Sequence, residues 1–391
     1  MAIGTMPSRV DTERRSSQWA LVVAGVAIGL RLVAAIHLGG ASHSFDVSRF
    51  YQLGRAGGRP YVDYAVEYPP VTLLLLKAIA VFGGGRRQCG YIMVWLNVLA
   101  DVGIAGLLLW AWGPAAAVFY LVSALFLANL IDARADTVST LIATFGVAAW
   151  VRRRPGAGGA AVGIAALTKL WPAPLAILGL GRRLHREGST FVGAALVTMA
   201  VGGAVWLAVG GIHGVLEVLT YRNSHGWEVG TIPGVVLLAL HHGGAYAQNG
   251  AYRIGTYSRL WRFLLWGTSV PLAAWSAYRG ARANRLGLAW IGSVGALLVA
   301  SALLSPQFVL WLLPAAAIAW VEGDRLIALV VGVCAPLTGI EMLHLSWLLE
   351  ARPLWIALVG ARDALLVLAV VLVVHALRRS APATAPAYAH A

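Results

Sequence analysis

Uninterrupted apolar runs of about 17–25 residues recur along this chain, and a run of that length crosses a hydrocarbon core of roughly 30 Å when it is helical. Inside lipid a backbone must satisfy its own hydrogen bonds, which a helix does, and the alternation that a barrel strand needs is absent from these runs. Only 12% of the 391 residues are charged, about half the share that coats a soluble domain. The sequence therefore predicts an all-α polytopic membrane protein with about ten to twelve spans.

The net charge of +14 does not mark a nucleic-acid binder. The arginines cluster between apolar runs, as cytoplasmic loops do under the positive-inside rule. Cys89 and Cys334 lie in or beside apolar segments and read as two buried thiols, with a single disulfide as the alternative. The run 19–40 is long enough to span and reads as an anchor rather than a cleaved signal.

The pattern divides the chain into a cytoplasmic tail at 1–18, one transmembrane domain at 19–379 and an Ala/Pro-rich, disordered cytoplasmic tail at 380–391. The first span places a loop at 41–68 outside. Residues 69–83 are expected to return, and 91–112 to cross outward again. The region 115–180 admits two routes. Either 115–131, 137–151 and 158–180 all cross, which puts Arg152–Arg154 outside against the rule, or 115–151 crosses once and 158–180 is a re-entrant hairpin broken by Pro172 and Pro174. Both routes lead to a second external loop at 211–258, followed by spans at 260–278, 286–304, 308–320, 326–343 and 354–377.

Polar chemistry then collects on the outer face. The first loop reads HSFDVSRFYQLGRAGGRPYVDYAVEYPP. Ser44 suits an N-cap for a short helix ending at Gly57–Gly58, with Asp46 in its first turn where the helix dipole favours an ionised carboxylate. Phe50 and Leu53 add an apolar stripe, so this helix is expected to lie along the membrane surface. Pro69 and Pro70 open the next span. A carboxylate fixed at the lipid–water boundary suits a general base that activates an acceptor hydroxyl against a sugar already carried on a polyprenyl phosphate. One carboxylate suffices for such an inverting displacement. The residues alone leave other readings open. Asp46 can pair with Arg49 at i, i+3, Asp63 can stabilise a turn, Glu67 can serve as a helix-start anion, and Arg55 and Arg59 can hold lipid headgroups as well as a substrate phosphate.

The run Asp46…Tyr51…Gly58-Arg59-Pro60-Tyr61-Val62-Asp63-Tyr64…Glu67-Tyr68-Pro69-Pro70 resembles the signature of glycosyltransferase family 87. These are enzymes of the GT-C fold that include polyprenyl-phosphate-mannose-dependent α-1,2-mannosyltransferases of mycobacteria. Three further segments resemble the family: Leu167-Thr168-Lys169-Leu170-Trp171-Pro172, Tyr221-Arg222…Gly226-Trp227-Glu228-Val229-Gly230-Thr231-Ile232-Pro233, and Ser305-Pro306-Gln307-Phe308…Trp311…Pro314. The resemblance implies a GT-C bundle and makes Asp46 the general base. Enzymes of the mycobacterial type carry histidine soon after the late Ser-Pro, where this chain has Gln307, which leaves the donor sugar open.

With that resemblance, Arg59, Lys169, Gln307 and Tyr51 are candidates for the donor, and Asp63, Glu67, Tyr68, Trp227 and Glu228 for the sugar or acceptor. Lys169 otherwise snorkels to the surface, and Asp132, Arg134 and Asp136 read as an internal ion-pair cluster. His213, His225, His241 and His242 have no carboxylate at metal-ligand spacing, so no metal or cofactor is expected. The partners implied are a lipid-linked sugar donor, a lipid or glycan acceptor and membrane lipid, with the site on the outer face of the inner membrane. The competing class is a transporter or flippase, which the external placement of the polar residues and the lack of an internal repeat disfavour.

Overall fold

The computed structural model describes residues 9–38, 45–131, 134–181, 186–220, 224–241 and 243–381. Helix α1 (Arg9–Leu38) starts ahead of the expected span, because no proline or glycine interrupts the ladder between Arg9 and Trp19. It runs antiparallel to α4 (Arg86–Trp112). Arg31 pairs with the buried Asp101 at 3.0 Å, and Ala35, one turn later, packs against Val94 and Val98, about two turns earlier on α4. Tyr120 of α5 (Pro114–Leu125) donates a second hydrogen bond to Asp101.

This pairing corrects the expected path. The chain leaves α1 and enters α4 at the same end of the bundle, so the segment between them stays at that end. It holds α2 (Phe45–Arg55) and α3 (Pro70–Gly83). Residues 69–83 therefore do not return across the bundle. At 1.5 Å per residue, the 14 residues of α3 reach only about 21 Å. Nor does the apolar stripe of α2 face lipid: Val47 and Phe50 pack onto Leu76, Ile79 and Ala80 of α3 and Met93 of α4. Gly54 allows this approach, since a Cβ there would lie 2.5 Å from the Leu76 carbonyl oxygen.

Because α3 does not cross, the direction of the next helices inverts and the difficulty with Arg152–Arg154 disappears. After a turn at Gly113 (φ 89) come α5, α6 (Ala128–Ile131), α7 (Asp136–Val151) and α8 (Pro155–Thr168). Arg152 donates to the Trp110 carbonyl and lies 5.4 Å from the centre of its indole. The basic turn thus sits at the end of the bundle opposite α2 and α3. Helix α8 runs parallel to α10 (Arg186–Leu219), with Gly159 against Phe191 and Gly163 against Ala195 and Thr198. Two parallel neighbours need a return leg between them. Residues 169–181 supply it as a 3-10 turn, Ala173–Ile177, followed by α9 (Leu178–Gly181), in place of a continuous helix that Pro172 and Pro174 would break. Residues 158–180 thus take the hairpin route, while 115–151 holds α5, α6 and α7 rather than one span.

The α8–α10 contact makes a sharp prediction. A Cβ on Gly159 would sit 2.0 Å from the Phe191 carbonyl oxygen, so Gly159→Ala must push the two helices apart. A cost of about 1–3 kcal/mol is expected, seen as a lower melting temperature in detergent. An unchanged melting temperature would show that the helices are free to separate.

Beyond α10 the all-α expectation misses a small sheet. Strands β1 (Trp227–Glu228), β2 (Tyr246–Gln248) and β3 (Ala251–Ile254) pair antiparallel in the order β1-β3-β2, with Trp227 opposite Ile254 and Tyr246 opposite Arg253. Helix α11 (Ile232–Ala239) lies between β1 and β2, and Thr231 caps it by accepting from Gly234 N–H. The chain then forms α12 (Arg259–Arg282), α13 (Leu286–Val299), a 3-10 turn Pro306–Leu312 running into α14 (Leu313–Val321), α15 (Arg325–Leu343), α16 (Leu345–Leu349) and α17 (Pro353–Arg379). Among the described residues, five helices (α1, α4, α10, α15 and α17) are long and apolar enough to cross a membrane. Cys89 and Cys334 are both free and buried, as the two-thiol reading expected.

Candidate active site

A cavity of about 330 Å³ opens where α3, α7, α8 and the Pro306 turn converge. Its polar lining includes Arg49, Glu67, Tyr68, Arg134, Lys169, Gln307 and the buried Arg253 of β3, and Trp266 and Val270 of α12 and Leu297 and Leu298 of α13 supply apolar lining.

Lys169 reaches this lining because α8 stops one residue earlier. Lys169 itself has extended backbone angles, and the Thr72 hydroxyl of α3 donates to the Thr168 carbonyl at 2.7 Å. The ammonium pairs with Asp136 Oδ1 at 2.8 Å, and the same oxygen accepts the Trp311 indole N–H at 2.8 Å. The Nζ also lies 5.3–5.5 Å from the centres of the Tyr68, Phe308 and Trp311 rings. Asp136 stands in the first turn of α7, where the helix dipole favours its charge. Lys169 is therefore turned inward and does not snorkel.

Asp46 has a different partner from the one its spacing suggested. Its Oδ2 lies 2.9 Å from Arg134, while Arg49 pairs with Glu67. The packing of α2 along α3 decides this: Arg49 lines the cavity while Asp46 stands behind Arg134 and does not line it, and partners distant in sequence replace the local i, i+3 contact. Arg49, Arg134 and Lys169 thus each bring a charge to the cavity, matched respectively by Glu67, Asp46 and Asp136.

The second polar segment supports the cavity from one side. Glu228 is buried, and its Oε1 accepts the Ser305 hydroxyl at 2.7 Å. Burial pushes its carboxyl above the usual carboxylate range. Arg362 of α17 donates to the Gly230 carbonyl at 2.5 Å and pairs with Glu341 at 2.6 Å and Asp363 at 2.9 Å, which fastens the turn after β1 to the bundle. Trp227 packs on Tyr257, ring centres 4.9 Å apart. Ser305 lines the cavity, whereas Glu228 and Trp227 stand behind it.

The other candidates are placed elsewhere. Asp63 accepts from the Arg59 backbone N–H at 2.6 Å and closes its own turn, and the Arg59 side chain does not line the cavity. Within that turn Tyr61 (φ 66) packs on Gly210 and Gly214 of α10. Tyr51 packs beside the Val47–Phe50 cluster. The Ser44 cap, Asp132, Tyr221, Arg222 and His242 lie outside the described residues. Among the described residues no three His, Cys, Asp or Glu side chains group as metal ligands do. Sequence reasoning missed Arg49 and Arg253 as cavity cations, and it grouped Arg134 and Asp136 without linking them to Asp46 and Lys169.

The cavity thus joins charged and apolar side chains at one end of a many-helix membrane bundle. The family model for glycosyltransferase family 87 matches residues 66–306, and the protein belongs to that family. It is a multi-pass membrane glycosyltransferase, of the family that the motif at 46–70 indicated. The fold is similar to that of apo ArnT from Cupriavidus metallidurans, at 16% identity over 93% of this chain and 78% of that one, with a TM-score of 0.43. It is also similar to the oligosaccharyltransferase of Archaeoglobus fulgidus tethered with an acceptor peptide containing the NVT sequon. That likeness has 12% identity, covers 88% of this chain and 55% of that one, and has a TM-score of 0.37. No curated protein matches the chain.

Proposed function

We propose that the protein is a GT-C-type enzyme that transfers a sugar, mannose by the family resemblance, from a polyprenyl phosphate to a lipid or glycan acceptor on the outer face of the inner membrane. The observation that carries this reading is the mixed lining of the cavity. Arg49, Arg134, Lys169 and Arg253 line it together with apolar side chains of α12 and α13, which matches a phosphate bearing an isoprenoid chain. In this reading Asp46 removes the proton from the acceptor hydroxyl. The acceptor oxygen bonds to the anomeric carbon from the face opposite the phosphate, the bond from that carbon to the phosphate oxygen breaks, and the polyprenyl phosphate leaves with the electron pair. One carboxylate gives inversion. Arg134 has two tasks here: it holds Asp46 beside the cavity, and it offers its guanidinium to the incoming phosphate, which competes with Asp46 for the same donors. Arg49 and Lys169 share the phosphate charge, and Glu67 and Tyr68 border the sugar or acceptor.

Incubating the purified protein with radiolabelled polyprenyl-phosphate mannose and membrane lipid extract tests the class. Label in a new lipid or glycan is the expected result. Label that only crosses the bilayer of a vesicle would replace the transferase with a flippase.

A further inference from the structure

Gln307 is the part of the cavity that charge pairing does not explain. It is 4% exposed, lines the cavity, and its Oε1 has no hydrogen-bond donor within reach among the described residues. A buried amide oxygen left without a donor costs about as much as a lost hydrogen bond, so its position implies a ligand that supplies one. A phosphate cannot, because its oxygens at the site would act as acceptors facing an acceptor. A sugar hydroxyl can, since it gives one hydrogen bond and takes others.

The neighbours support this division of labour. Phe308, the next residue, places its ring 5.3 Å from Lys169 Nζ, and Ser305, two residues earlier, is fixed by Glu228. Gln307 and Lys169 thus line one cavity, and the residue after Gln307 lies against the ammonium, as the first sugar ring lies next to the phosphate in a glycosyl phosphate. Gln307 itself is neutral. A carboxylate or amine on the sugar at this point would find no opposite charge on the amide.

We propose that Gln307 is a specificity-determining residue that accepts a hydrogen bond from one hydroxyl of the donor sugar, and that the sugar is accordingly uncharged at that position. This rests on the reading of the cavity as a donor site for polyprenyl-phosphate sugars. The phosphate then falls to the cavity cations Arg49, Arg134, Lys169 and Arg253, and Gln307 serves the sugar.

The test combines Gln307→Met with donors that each lack one hydroxyl. Methionine is close to glutamine in volume and removes the orphaned polar atom, so the variant should melt no lower than wild type. Dissociation constants are measured for polyprenyl-phosphate mannose and its 2-, 3-, 4- and 6-deoxy analogues, with transfer rates recorded in parallel. For the full donor, Gln307→Met should weaken binding on the order of tenfold, as expected for one hydrogen bond to a buried neutral group. One deoxy donor should bind wild type equally weakly, and against that donor the substitution should cost nothing more. An equal penalty from Gln307→Met with all five donors would overturn the proposal, as would a variant that binds the full donor as tightly as wild type. Wild-type protein that binds these donors without transferring sugar would sink the transferase reading and leave the binding pattern to decide the role of Gln307. Wild-type protein that binds none of them would sink both.

Discussion

Replacing Asp46 with asparagine is expected to reduce sugar transfer by about 10²–10⁴-fold, the range that a lost general base usually costs, without unfolding the protein. Asparagine keeps the size of the side chain and an oxygen that Arg134 can still donate to, but it cannot take the acceptor proton. The Asp46–Arg134 pair is partly open to solvent, with side chains 19% and 25% exposed. Its loss should therefore cost no more than about 1 kcal/mol. Helix α2 is held instead by Val47 and Phe50 against α3, which the substitution does not touch. The check is a transfer rate measured beside a melting curve. Undiminished transfer by the Asp46→Asn protein would remove Asp46 from the mechanism, while a collapsed melting temperature would show that its role is structural. Asp46→Glu sharpens the result: it retains a base but moves it one methylene further from α2, so a rate between those of asparagine and wild type is expected.

How far the sequence could be read differs from one segment to the next. Helix α2 was legible because its amphipathic stripe, its acidic first turn and the Gly57–Gly58 stop all agree. The fate of its stripe was not, because an apolar face at a membrane surface can meet either lipid or protein and the pattern is the same for both. The error at α3 has the same root. Residues Val71–Phe82 are apolar apart from Thr72 and Lys77 but too short to cross, and the antiparallel match of Arg31 to Asp101 and Ala35 to Val94 shows that α1 and α4 are successive crossings. The small sheet, by contrast, did have a signal. Asn249-Gly250 separates β2 from β3 with both residues at positive φ (52 and 78), the pairing that two-residue hairpins favour. It was obscured by the apolar, glycine-rich sequence around it. In the site, Lys169 stood out as an isolated lysine in an apolar run. Its carboxylate lies 33 residues away at Asp136, and neither spacing nor periodicity joins the two. Charge pairs between helices are set by packing, and one sequence does not record packing.

That pair yields the second large effect. Lys169→Met should fail twice, in stability and in chemistry, and a second substitution should separate the two. Asp136 is only 2% exposed. Removing the ammonium leaves a buried carboxylate with the Trp311 indole N–H as its remaining hydrogen bond shown here, and breaking a buried pair on one side costs about 3–5 kcal/mol. The three rings around Nζ also lose their cation, at about 0.5–2 kcal/mol for such contacts. A marked drop in melting temperature is therefore expected. Adding Asp136→Asn removes the stranded charge while its oxygen can still accept from Trp311, so the double variant should recover most of the stability. Transfer should not recover with it, because the cavity still lacks the Lys169 charge that would face the phosphate. A loss of about 100-fold should persist, carried mainly by weaker donor binding. If the double variant instead transferred sugar at the wild-type rate, Lys169 would be a structural counter-charge to Asp136, and the phosphate would have to be held by the other cavity arginines, Arg49, Arg134 and Arg253.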